Sequence, residues 1–107
     1  VVRDRAGEQV RLASEVPIRA GDRLRVEVAV DDARPIFAGV LGKDGSWLVL
    51  LAPSLLEAGT HYSEQAARID EAPSEGWILV GEPDAVERAR TTRLFEGVTA
   101  IPVVVER

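Results

Sequence analysis

The sequence predicts a mainly β domain: an antiparallel β-sandwich or distorted barrel of six or seven strands with one short helix. Three observations carry that expectation. First, Leu24-Arg25-Val26-Glu27-Val28-Ala29-Val30 places a larger apolar side chain at every second position. Successive side chains of a strand point to opposite faces, so this pattern buries one face and wets the other. Second, the apolar runs 36–41 and 47–52 flank Gly42-Lys43-Asp44-Gly45-Ser46, which has the composition of a tight reversal. Third, the strand signals are not separated by regular helices, which argues against a doubly wound α/β sheet.

Bulk properties set the frame. A chain of 107 residues fits one domain, residues 1–107, able to bury a core without disulfides or a metal staple. With 46% hydrophobic and 29% charged residues it has the balance of a folded rather than a disordered protein. No apolar run approaches the length of a membrane span, and no stretch of this sequence is expected to act as a signal peptide. The chain starts at Val1 rather than Met, so it is expected to be a piece of a longer protein. It has no cysteine, which removes disulfides, thiolate catalysis and cysteine metal sites. A net charge of −5, with no clustered basic face in the sequence, gives no electrostatic reason to bind nucleic acid or an anionic membrane. Among the basic residues only Lys43 is a lysine, which reads as the codon bias of a GC-rich, bacterial genome.

In chain order, residues 1–15 are mixed and polar, with an edge strand expected at 9–13. Gly21-Asp22 and Asp31-Asp32 punctuate the strand 24–30 as turns. The hairpin 36–52 follows. Its second arm, Trp47-Leu48-Val49-Leu50-Leu51, barely alternates, so it is expected to be a central strand covered on both faces, with Val49 and Leu51 buried. Pro53 should end it, and residues 54–59 should connect onward with Leu55 and Leu56 against the core. Residues 60–70 suit a strand or a short helix equally. Residues 71–76 read as a polar turn, and 76–81 as a short buried strand between glycines, carrying Ile78 and Val80 inward. Residues 82–96 are the best helix candidate. Asp84 and Glu87 have capping-box spacing, Arg88, Arg90 and Arg93 lie toward the negative end of the dipole, and Gly97 fits the C-cap. Thr91-Thr92 should weaken the helix beyond Arg90. The last strand is 98–106, where Pro102 points to an edge position or a bulge.

Candidate chemistry is sparse. His61 is the only histidine, and Ser63 and Glu64 are too close in sequence to act as a separate nucleophile and orienter, so it reads as a loop residue. No G-x-S-x-G elbow exists. Gly39-Val40-Leu41-Gly42-Lys43-Asp44 fails as a phosphate loop, because no Ser or Thr follows Lys43 and no helix follows the loop. The adjacent pairs Asp31-Asp32 and Asp70-Glu71 point opposite ways on an extended chain, so they read as solvated turns. Arg88, Arg90 and Arg93 could receive a carboxylate or phosphate, but interleaved acidic residues favour a solvated helix face. Trp47 and Trp77 are expected as core anchors, either of which could line a pocket. Possible pocket or contact residues are therefore Trp47, Trp77, Arg88 and Arg90. No catalytic, cofactor-binding or metal-ligating residue is singled out, and no cofactor is expected.

The segment Ala20-Gly21-Asp22-Arg23-Leu24-Arg25-Val26-Glu27-Val28, the hairpin 37–51 with Lys43-Asp44-Gly45 at its tip and Pro53 behind it, and the strand–proline–helix order of 76–90 together resemble a bacterial family. It is a domain family of unknown function, found fused to anti-sigma-factor regions, protein kinases and caspase-like peptidases. The resemblance spans residues 17–106 and departs at 31–33, where the family more often has a single turn and an aromatic residue. It implies a β-sandwich accessory module, outside the cytoplasm, with a sensing or scaffolding role and no residues to carry over. The expected function is a non-catalytic interaction or sensory domain of a larger bacterial regulatory or envelope protein, with a protein or peptide partner. A small-molecule- or peptide-binding sandwich is the alternative, and a carboxylate-only enzyme a remote third.

Overall fold

The computed structural model describes residues 1–63, 66–69 and 73–106. Its elements are β1 (Val2–Arg5), β2 (Glu8–Arg11), β3 (Val16–Ile18), β4 (Arg23–Arg25), β5 (Glu27–Val30), β6 (Arg34–Gly42), β7 (Trp47–Leu56), β8 (Gly59–Tyr62), β9 (Ala67–Arg68), β10 (Gly76–Gly81), α1 (Pro83–Thr92) and β11 (Val98–Val105). The fold is mainly β and sandwich-like, and among the described residues its sheets do not close into a barrel. The eleven described strands exceed the six or seven expected, because several are pieces of two to four residues whose apolar pattern is too short to read.

A five-stranded sheet, ordered β3-β11-β10-β6-β7, forms the middle layer. Its two faces bury different clusters. Val16, Ile36, Ala38, Val40, Leu50, Ile78 and Val103 face one way, onto Leu24, Val26, Val28 and Ile69. That opposing layer is built from a four-stranded sheet, β2-β1-β4-β9, and the pair β5-β8. Phe37, Leu41 and Leu79 face the other way, onto Val86 and Ala89 of α1. β6 is buried on both faces from Ile36 to Gly42 because it lies between these clusters.

The strand 24–30 keeps its register, with Leu24, Val26, Val28 and Val30 buried and Arg25 exposed, while Glu27 is half-buried. It breaks into two at Val26, whose N–H donates to Ser63 Oγ (3.1 Å) and whose carbonyl accepts from Ser63 N–H (3.0 Å). Before the break the chain pairs with β1, and after it with β8. Residues 60–63 and 67–68, open between strand and helix in the sequence, contain the strands β8 and β9. Asp70, Glu71 and Ala72 lie outside the described residues.

The hairpin forms as expected, but its second arm corrects three expectations. β7 is the edge of its sheet, not a central strand. It does not stop at Pro53 but runs to Leu56, because the register slips there: Ile36 pairs with Ser54 and Ala38 with Leu51. An edge strand tolerates both the missing N–H of proline and a bulge. A second slip, from Ala38–Leu51 to Gly39–Val49, leaves Leu50 as an extra residue. Leu50 is buried, whereas Val49 is 44% exposed, so that assignment reverses. Val49 faces the helix layer beyond the reach of α1. Leu51 and Val80 are only half-buried, and Leu55 is 71% exposed rather than packed on the core.

The helix runs from Pro83 to Thr92. Its N-cap is Glu82, without a side-chain cap, so the Asp84–Glu87 capping box is not used. Pro83, with φ already helical, starts the helix earlier and leaves Asp84 in the first turn, where its charge still suits the dipole. The C-cap is Arg93 in the left-handed region (φ 62°), not Gly97. Thr91 and Thr92 still lie within the helix, their hydroxyls donating to the carbonyls of Glu87 and Arg88. β11 lies between β10 and β3, so Pro102 is not on an outer strand. β3 pairs with β11 only from Val103 onward, which leaves Pro102 just outside that second ladder.

Candidate functional site

The candidate site lies where the two β layers part along the outer side of β7. An open groove of about 580 Å³ runs between the second half of β7 and the segment carrying β8 and β9. Leu50, Leu51, Leu56 and Ala67 form its apolar side. Ser54, His61 and Tyr62 stand on its walls. Each of these polar groups already has a partner: Ser54 Oγ donates to the Ala52 carbonyl (2.7 Å), His61 Nε2 lies 2.6 Å from the Glu57 carbonyl, and Tyr62 Oη donates to Glu27 (3.3 Å). Ser63 is buried and accepts the Val26 N–H. His61 and Ser63 are thus tied separately into the β7–β8 and β5–β8 junctions. The bulges that shape this groove carry no sequence motif. Only the weak alternation of residues 47–51 hints at them.

The four predicted contact residues divide. Trp47 and Trp77 share one face of the middle sheet, in the cross-strand row Trp47–Leu41–Trp77. Trp47 meets Phe37 edge-on at 5.6 Å, and Trp77 meets Phe95 edge-on at 5.0 Å. Trp47 can lie on β6 only because residue 39 is glycine, since a Cβ there would fall inside its indole ring. The Arg90 guanidinium sits 4.8 Å over the Trp47 ring, a cation–π contact. Arg88 is exposed on the helix and does not join them. Arg93 donates to the carbonyl of Lys43 (3.3 Å), joining the helix end to the β6–β7 turn. The arginines therefore diverge rather than frame one anion. Both tryptophans are half-buried, packed against the cluster under the helix rather than within the buried core.

The turn 42–46 is filled by its own residues. The Asp44 carboxylate accepts the Ser46 N–H (3.0 Å) and hydroxyl (2.6 Å), which hold it below the usual carboxylate range. Asp31 and Asp32 are exposed, and Asp32 lies 3.7 Å from Arg34. The pair Asp70-Glu71 lies outside the described residues. Among the described residues no three His, Asp or Glu side chains gather to hold a metal ion. No described helix is long and apolar enough to cross a membrane.

One polar cluster is absent from the sequence reading. Asp22, read as a turn residue, is 2% exposed. It accepts Arg5 Nε and Nη2, each at 2.8 Å, and the Arg19 N–H at 2.8 Å. Arg5 Nη2 also lies 2.8 Å from Glu106. The Arg5 hydrogen bonds hold the Asp22 and Glu106 carboxyls below their ordinary values and the Arg5 guanidinium above its own. The cluster ties β1 to the ends of β3 and β11. It links the two β layers.

The expectation that basic residues do not cluster is corrected by strand pairing. The outer face of the four-stranded sheet carries Arg11, Arg23, Arg25 and Arg68, residues far apart in sequence. No family model, no curated protein and no solved structure matches the chain.

Proposed function

We propose that this domain is a non-catalytic interaction module of a larger bacterial regulatory or envelope protein, and that it holds an extended peptide in the groove beside β7. One observation carries the reading. The longest strand of the fold is an edge strand, and its outer side borders an open, mostly apolar groove. An extended chain laid there can pair with the unpaired backbone groups of β7 and place alternate side chains on Leu50, Leu51 and Leu56. Pro53 and the bulges shorten the pairable stretch, which guards against self-association of the edge. An open groove whose polar walls are internally bonded suits a peptide backbone better than a small molecule, which needs enclosure and free polar groups.

Selection from a random-peptide display library, followed by chemical-shift mapping of the isotope-labelled domain, tests this. Peptides with alternating apolar residues, shifting the amides of β7 and β8, are the expected result. Failure to select any peptide, or shifts confined to other elements, overturns it.

A further inference from the structure

The outer face of the four-stranded sheet presents two cross-strand rows, Arg11–Val2–Arg25 and Gln9–Asp4–Arg23–Arg68. In a protein of net charge −5, this face carries four arginines against Asp4 and the half-buried Glu27. Arg11 is 3.5 Å from Glu27, and Asp4 is engaged by the Gly7 N–H. Arg23 and Arg68 are directly opposed in register, both exposed, and neither has an ion-pair partner among the described residues. Like charges directly opposite across a strand pair destabilise a sheet, and Asp4, opposite Arg23 on its other side, sets only one carboxylate against the two arginines.

We infer that this face is a second contact surface, which recognises an acidic protein segment in extended conformation through Arg23 and Arg68, flanked by Arg25. Alternate residues of an extended chain turn their side chains to one face, so an acidic segment of that kind can set carboxylates against Arg23 and Arg68. Arginine forks receive carboxylates in bidentate pairs, and a carboxylate between Arg23 and Arg68 relieves their repulsion. The acidic charge of the rest of the domain disfavours a long polyanion such as nucleic acid, whose phosphates extend well beyond so small a patch. Arg11 of this face reaches the β7 groove through Tyr62 Oη (3.2 Å), but Arg23 and Arg68 do not line that groove, so a loss of binding on replacing these two is separable from failure of the groove reading.

The experiment titrates the whole domain with a fluorescent eight-residue peptide alternating glutamate and serine. The same peptide with glutamine, and a single-stranded oligonucleotide of equal charge, run beside it at low and at physiological salt. Saturable binding of the glutamate peptide, weakened by salt and reduced at least tenfold in the Arg23→Gln/Arg68→Gln variant, is expected. The glutamine peptide should not bind. That variant removes a like-charge pair, so its melting temperature should equal or exceed that of the parent, which separates lost recognition from lost folding. No binding, unchanged binding in the variant, or oligonucleotide binding as tight as the peptide's overturns the inference.

Discussion

Asp22 is the buried charge of the described residues. Its carboxylate is removed from water, and three hydrogen bonds from Arg5 and Arg19 compensate it. Breaking a buried pair strands the surviving partner, so Asp22→Ala should cost about 3 kcal/mol. The folded-state pKa lies below the unfolded value, so the stabilisation is complete above about pH 4, the ordinary Asp value, and fades as pH falls through the lower folded value. Denaturant unfolding of the parent and Asp22→Asn at a series of pH values checks this. The gap between them should be full at pH 7 and narrow progressively as pH falls below about 4. A gap that does not narrow on acidification contradicts the assignment. The sequence marked Asp22 only as a turn residue, because its partner Arg5 lies on a strand with no apolar pattern, and Arg–Asp pairing across the fold leaves no local trace.

At the scale of elements, strands with clean alternation were legible and those with bulges were not. The pattern of 24–30 set the correct inward face at Leu24, Val26, Val28 and Val30. The run 47–51 misled, because an extra residue in β7 changes the phase of the pleat and an edge strand next to a short helix leaves one residue uncovered. The short β1–β2 hairpin escaped notice because Ala6, an unusual residue for a positive φ, starts its turn. The groove was not legible at all, since bulges and layer separation create it rather than a motif. The observed register has a direct test. Leu50→Ala should cost about 2–4 kcal/mol, whereas Val49→Ala should stay within about 0.5 kcal/mol, by chemical denaturation. Equal costs would restore the uniform, two-sided burial that the sequence implies.

Across the whole molecule, one sheet is shared by two hydrophobic clusters, one under α1 and one under the other β layer. Both tryptophans sit on the helix side. If the layers form one cooperative unit, damage on the far side must be felt by the tryptophans. Leu24→Ala, in the other cluster, should lower the unfolding midpoint seen by tryptophan fluorescence as much as that seen by far-UV circular dichroism, with a loss of about 3–5 kcal/mol. A fluorescence midpoint left in place would mean that the helix side unfolds independently. The mainly β class was readable from residues 24–52 alone. The layering was not, because it depends on which strands meet at long range.

The single parallel pair among the described strands, β3 with β11, joins Val16 to Val103. Closing that contact requires nearly the entire chain to be in hand, and the entropy of so large a loop must be met before the pair contributes anything. The middle sheet can therefore grow from the β6–β7 hairpin through β10 and β11, but its last edge is added only at the end. Refolding should accordingly run on the millisecond-to-second scale of proteins dominated by non-local pairing. On a ribosome, β3 would wait, unpaired, until the final strand emerged.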